Sequence, residues 1–152
     1  MKKIVKKVMA SMLSVATLAT SVAGISANAS SDNIYFYSFH INPSIGGWTR
    51  LGQTAYKDNS SYVYLYISSA SRPVRVHALG IDSYGNAHNC TCNGSAYCVA
   101  GNEYLICNNI KESGYNYADL EFYSVSDYYG DNITGAWSPD SVIEYGHTYY
   151  YV

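Results

Sequence analysis

In residues 61–67, Ser61-Tyr62-Val63-Tyr64-Leu65-Tyr66-Ile67, aromatic and aliphatic side chains alternate strictly from Tyr62 onward. In an extended chain this period of two puts Val63, Leu65 and Ile67 on one face and Tyr62, Tyr64 and Tyr66 on the other, so the stretch predicts a half-buried β-strand. Similar runs cover 34–41, 48–56, 74–81, 103–107, 117–125, 133–137 and 148–152. Between them lie residues that turn a chain: Asn42-Pro43, Gly46-Gly47, Asp58-Asn59, Tyr84-Gly85-Asn86, Asn93-Gly94, Ser113-Gly114, Gly130-Asp131 and Ser138-Pro139-Asp140. About eight short strands at this spacing predict an all-β fold, an antiparallel β-sandwich or open barrel. Helix formers are scarce beyond residue 30, and no window there repeats apolar residues at three and four. Arg72, Pro73 and Arg75 read as a device that blunts a sheet edge.

The first thirty residues are of another kind. Lys2, Lys3, Lys6 and Lys7 precede an apolar, small-residue run from Met12 to Ile25 and then Ala27-Asn28-Ala29. That is the pattern of a secretory signal helix cleaved after Ala29, and the run is too short and too rich in Ser and Thr for a membrane span. The expected organisation is a signal peptide over 1–29 and a single secreted β domain over 30–152, with no transmembrane anchor in the mature form. That domain holds five basic residues, Arg50, Lys57, Arg72, Arg75 and Lys111, against eleven acidic ones, a formal net charge of −6. A surface so acidic repels phosphate backbones, which argues against nucleic acid as a partner, and it lacks the basic face of a membrane-surface helix.

All four cysteines, Cys90, Cys92, Cys98 and Cys107, fall within twenty residues. In an oxidising compartment an even set reads as disulfides, and the gaps do not match the paired spacing of structural zinc sites or the C-x-x-C of redox centres. A Cys90–Cys92 bond would strain its short ring. Cys92 can face Cys98 across Asn93-Gly94-Ser95, and Cys98 can equally face Cys107 across 100–103. The favoured reading is Cys92 with Cys98 and Cys90 with Cys107, a local clamp on two adjacent turns.

Eighteen tyrosines, all beyond residue 29, exceed what a core can use, because each buried hydroxyl requires a partner. Together with Ser, Asn and Gly they make a recognition composition, and Tyr62, Tyr64 and Tyr66 are the candidate binding face; a solvent-facing sheet surface is the alternative. His40, His77, His88 and His147 stand isolated, and no nucleophile or metalloprotease motif is present. Asp119 and Glu121 share a strand face and read as its wet side. Asp127, Asp131 and Asn132, or Asp82 and Asn86, are the acidic groupings a calcium ion could use, but neither has the dense loop of a calcium site.

The runs Glu112-Ser113-Gly114-Tyr115, Gly135-Ala136-Trp137-Ser138-Pro139-Asp140-Ser141 and Arg72-Pro73-Val74-Arg75-Val76 resemble those of a group of uncharacterised small secreted β-rich proteins of Gram-positive bacteria. The resemblance covers most of the chain beyond the signal and implies an extracellular sandwich-like domain; Cys107 stands where that group carries a proline. Size, signal and richness in Tyr, Gly and Trp give a more distant similarity to secreted bacteriocins of the lactococcin 972 type. Trp137 reads first as a buried indole closing the sandwich above a Pro-Asp turn, and second as an exposed ring for a sugar or partner. The functional expectation is a secreted, non-enzymatic binding or surface-associated protein that presents tyrosines to a glycan or protein, with no cofactor and no metal. The alternative is a secreted bacteriocin acting on the envelope of competing cells.

Overall fold

The computed structural model describes residues 33–41, 47–125 and 130–152, so the segment 1–29 read as a signal, the turn residues 42–46 and Asp127 lie outside the described residues. Eleven strands are found among those described: β1 (Tyr35–Ile41), β2 (Thr49–Arg50), β3 (Ala55–Tyr56), β4 (Val63–Ser69), β5 (Val74–Ile81), β6 (Ala87–Asn89), β7 (Ala96–Cys98), β8 (Glu103–Ile106), β9 (Tyr117–Ser124), β10 (Asp131–Ser138) and β11 (Tyr149–Tyr151). They form two sheets. The first has the order β1-β10-β4-β8-β11; the second has the order β2-β9-β5-β6, with β3 also on β9 and β7 also on β5.

The all-β fold with its antiparallel sheets follows from the alternation. Val63, Leu65 and Ile67 of β4 face Val74, Val76 and Ala78 of β5 and Ala118, Leu120 and Phe122 of β9 across one core, and all nine are fully buried. Trp137 lies in that core, satisfies its indole N–H on Gln53 Oε1 at 3.1 Å, and packs against Tyr35. Its structural reading holds, and an exposed stacking ring is excluded.

Several expectations change. The 48–56 run is two short strands, because Gly52 takes φ +74° and turns the chain out of the pleat; both still pair with β9. Arg72, Pro73 and Arg75 do not guard an edge, since β5 is an inner strand with β9 on one side and β6 and β7 on the other. One pair is parallel: β11 runs beside β8. To reach that position the chain leaves β10 and crosses the outer face of the first sheet through residues 139–148, and Val142 and Tyr149 cover Tyr64 and Leu105 there. Tyr64 is thereby only 1% exposed, although the alternation placed it on the open side.

The disulfide differs as well. Cys92 bonds Cys107, with their Cα atoms 5.4 Å apart, and Cys90 and Cys98 are free thiols buried in the protein. Residues 90–92 run antiparallel to 107–109 just beyond β8: Cys92 N–H donates to Cys107 O at 3.0 Å, and Asn109 N–H to Cys90 O at 2.9 Å. The bond therefore ties the second sheet to the first and does not clamp adjacent turns. Cys90 donates to Ala78 O, whereas Cys98 lies opposite Val74. Those positions are four residues, about 13 Å, apart along β5, beyond the reach of a disulfide.

Candidate binding face

The outer face of the second sheet carries a row of aromatic and charged side chains that are exposed or half-buried. On β5 the residues Arg75 and His77 point away from the core, and their β9 partners on the same face are Tyr123 and Glu121. Arg50 of β2 is the next member of the His77–Glu121 row, and Tyr97 of β7 lies beside Arg75. Strand pairing alone thus lines up these groups on a rigid support, which fixes their spacing more firmly than loops would.

Each side chain is then held. Trp48, just ahead of β2, lies flat on His77 with ring centroids 3.5 Å apart and planes 18° apart, and its ring centre is 5.6 Å from that of Tyr123, the two rings tilted by 40°. His77 Nδ1–H donates to Glu121 Oε1 at 2.7 Å. Arg50 Nε–H donates to Asp119 Oδ2 at 2.7 Å, while its terminal nitrogens reach Thr54 Oγ1 at 3.0 Å and Gly85 O at 3.4 Å. Asp119 is fully buried beneath this strap, so it is not the wet side of the strand that its spacing suggested. Glu121 is half-buried against His77. Arg75 Nη1–H donates to Ser95 Oγ at 3.1 Å. Further along the face Tyr56 and Tyr117 pack edge to face, with the Lys111 ammonium 5.6 Å from the Tyr56 ring centre.

The tyrosines singled out by sequence are not together on an open surface. Tyr62 is exposed and packs edge-on against Tyr151. Tyr64 is buried and donates its hydroxyl to Glu103 Oε1 at 2.8 Å; burial first, and then that carboxylate, push its pKa well up. Tyr66 is half-buried at an open cleft of about 520 Å³ that it shares with Asn102, Glu103, His147 and Tyr150. In that cleft His147 Nδ1–H donates to Glu103 Oε2 at 2.8 Å, and this bond raises the histidine pKa above its ordinary value. Trp48, Arg50, His77 and Glu121 were missed as a group. The available signal was the outward register of Trp48 and Arg50 in one alternating run and of His77 in another.

Two of the acidic residues a calcium ion could use, Asp82 and Asp131, accept from backbone N–H groups of neighbouring turns. Asp82 accepts from the backbone N–H groups of Tyr84 and Asn86, from the Asn86 amide and from His88, and these bonds, the Asn86 side chain foremost, lower its pKa. Asp131 accepts from Ser71 and Arg72 N–H. Among the described residues no group of three or more His, Cys, Asp or Glu side chains is placed to hold a metal, and no helix is long and apolar enough to cross a membrane.

With this geometry in view, a family model described as a protein of unknown function, DUF2712, matches residues 25–141. The chain belongs to that family. Its matched span runs through the whole of the aromatic face and ends just past Asp140, the last residue of the Trp-Ser-Pro-Asp turn. No curated protein and no solved structure matches the chain.

Proposed function

We propose that this is a secreted, non-enzymatic binding protein whose outer β2–β9–β5–β7 face takes an extended glycan. The observation that carries the reading is Trp48: the residue is 37% exposed, its ring is backed flat by His77, and the strand row that bears His77 also bears Glu121 and Arg50. A fixed aromatic plane offers a surface to the C–H face of a sugar, and charged groups at its rim suit the hydroxyls around it. A protein partner fits less well, because stable protein interfaces want a core depleted of charge and here the rings alternate with Arg50, Arg75 and Glu121. The signal-like segment and the resemblance to small secreted proteins of Gram-positive bacteria support an extracellular site of action.

The test is retention of the purified protein on insoluble bacterial cell-wall polysaccharide, followed by titration with soluble fragments. Trp48→Ala should weaken binding by about 2 kcal/mol or more, as loss of a central aromatic does. Tyr145→Ala, at a fully exposed residue on the 139–148 crossover, should leave it unchanged. If no such glycan retains the protein, or if Trp48→Ala binds as well as the wild type, the reading fails. Killing of sensitive cells without glycan retention would favour the bacteriocin reading instead.

A further inference from the structure

The face that carries Trp48 holds a second pair of open rings. Tyr56 of β3 and Tyr117 of β9 are direct cross-strand partners, meet edge to face with ring centres 5.6 Å apart, and are 51% and 49% exposed. The core makes no use of them, since their chain neighbours Ala55 and Ala118 are the residues that point inward. Pairing across two strands fixes their spacing. The Lys111 ammonium lies 5.6 Å from the Tyr56 ring centre and donates to Asn116 Oδ1 at 2.9 Å, which keeps it at the margin of the pair.

Along β9 the outward positions run Tyr117, Asp119, Glu121 and Tyr123. The Trp48 ring stands over His77, the partner of Glu121, so four residues of strand, about 13 Å, separate it from the Tyr56–Tyr117 pair. The floor between them is polar. Arg50 crosses there above buried Asp119, holding Asp119 Oδ2, Thr54 Oγ1 and Gly85 O, and its side chain is still 34% exposed. Rings, a guanidinium and rings again therefore follow one another along a straight strand. One sugar ring is narrower than that gap and covers one platform only.

Resting on the glycan reading above, we propose that Tyr56 and Tyr117 form a second sugar subsite, and that the face selects chains long enough to reach it from Trp48 across Arg50. Trp48 is the primary site, because its ring is the larger and is backed flat by His77. Once a chain is seated there, contact with the tyrosine pair is made within the same ligand, and joint affinity exceeds that of either platform by about 10²–10⁴. A chain too short to span the gap gains nothing from the second platform.

Calorimetric titration with size-graded soluble fragments of bacterial cell-wall polysaccharide tests it. Wild-type affinity should rise by about 10² or more between the shortest fragment and the first that spans both platforms. Tyr56→Ala combined with Tyr117→Ala should abolish the rise and leave affinity for the shortest fragment unchanged. The matching pair of Phe substitutions, which keeps both rings, should retain the rise. A wild-type affinity that ignores fragment length, or a double-Ala variant that keeps the rise, overturns the second subsite and leaves Trp48 as a single site. Absence of binding at every length overturns the glycan reading and the subsite with it. The wild-type length series stands whether or not the variants fold.

Discussion

Gly135 lies so close to the carbonyl oxygen of Tyr66 that a Cβ at that position would overlap it. The same Cβ would also lie 2.6 Å from the Tyr37 hydroxyl oxygen, which donates to that carbonyl at 3.1 Å. The β4–β10 ladder shifts register between Thr134 and Gly135, and the Tyr37 ring fills the space a side chain would occupy. Gly135→Ala should therefore destabilise the domain by about 1–3 kcal/mol or more, because backbone and a buried ring must both move. Urea denaturation measures it, and a variant as stable as the wild type would contradict the contact.

Tyr62 and Tyr64 should part company on mutation. Tyr64 is buried beneath Val142 and Tyr149, so Tyr64→Ala should cost about 3–5 kcal/mol. Tyr64→Phe, which removes only the hydroxyl bonded to Glu103, should cost about 1.5–3 kcal/mol. Tyr62→Ala should stay within about 0.5 kcal/mol of wild type, as surface changes do. Parallel thermal melts give the three values, and equal losses at 62 and 64 would mean that the crossover does not cover β4.

Thiol counting should separate the one bond from the two free cysteines. The native protein should react slowly with an exposed-thiol reagent, since Cys90 and Cys98 are buried and burial raises both thiol pKa values. Denaturation without reductant should expose two thiols, and reduction four. Cys92→Ser with Cys107→Ser should cost about 3 kcal/mol, the chain-entropy value for the 15-residue separation. Two disulfides in the mass spectrum would contradict the register of β6 and β7 on β5.

The His147 tie should weaken as pH rises. Its hydrogen bond and attraction to Glu103, with a smaller contribution from Glu144, raise the folded pKa above 6.5, so the protonated ring is the form the fold favours. The stabilisation is complete below the unfolded value and is lost as pH climbs through the higher folded one. Against His147→Gln, the wild-type melting temperature should gain its advantage below neutrality and lose it on the alkaline side. An NMR titration of His147 with a midpoint below 6.5 would contradict this.

The core was legible wherever one strand face is apolar and the other wet, as in Val74-x-Val76-x-Ala78 and Ala118-x-Leu120-x-Phe122. What escaped depends on residues distant in sequence. Asp119 reads as solvated until Arg50, sixty-nine residues away, is laid over it. Tyr64 reads as exposed because the crossover 139–148 that covers it has no periodicity to announce it. The cysteine partners were sought across the nearest turns, whereas the bond follows from segment 90–92 reaching the end of a strand in the other sheet. Tyr62, Tyr64 and Tyr66 read as one open face, whereas the same crossover leaves the first exposed, the second buried and the third half-buried.

The pairing of β1 with β10 has a consequence for timing. Tyr35 meets Trp137 and Ile41 meets Asp131, so the first strand waits for a partner roughly ninety residues or more downstream. The central strand of the other sheet waits likewise for β9. A topology with so many distant partners folds in milliseconds to seconds rather than microseconds. Every strand of the second sheet precedes β10, so the first sheet, in which β1 pairs with β10 alone, is the one completed last.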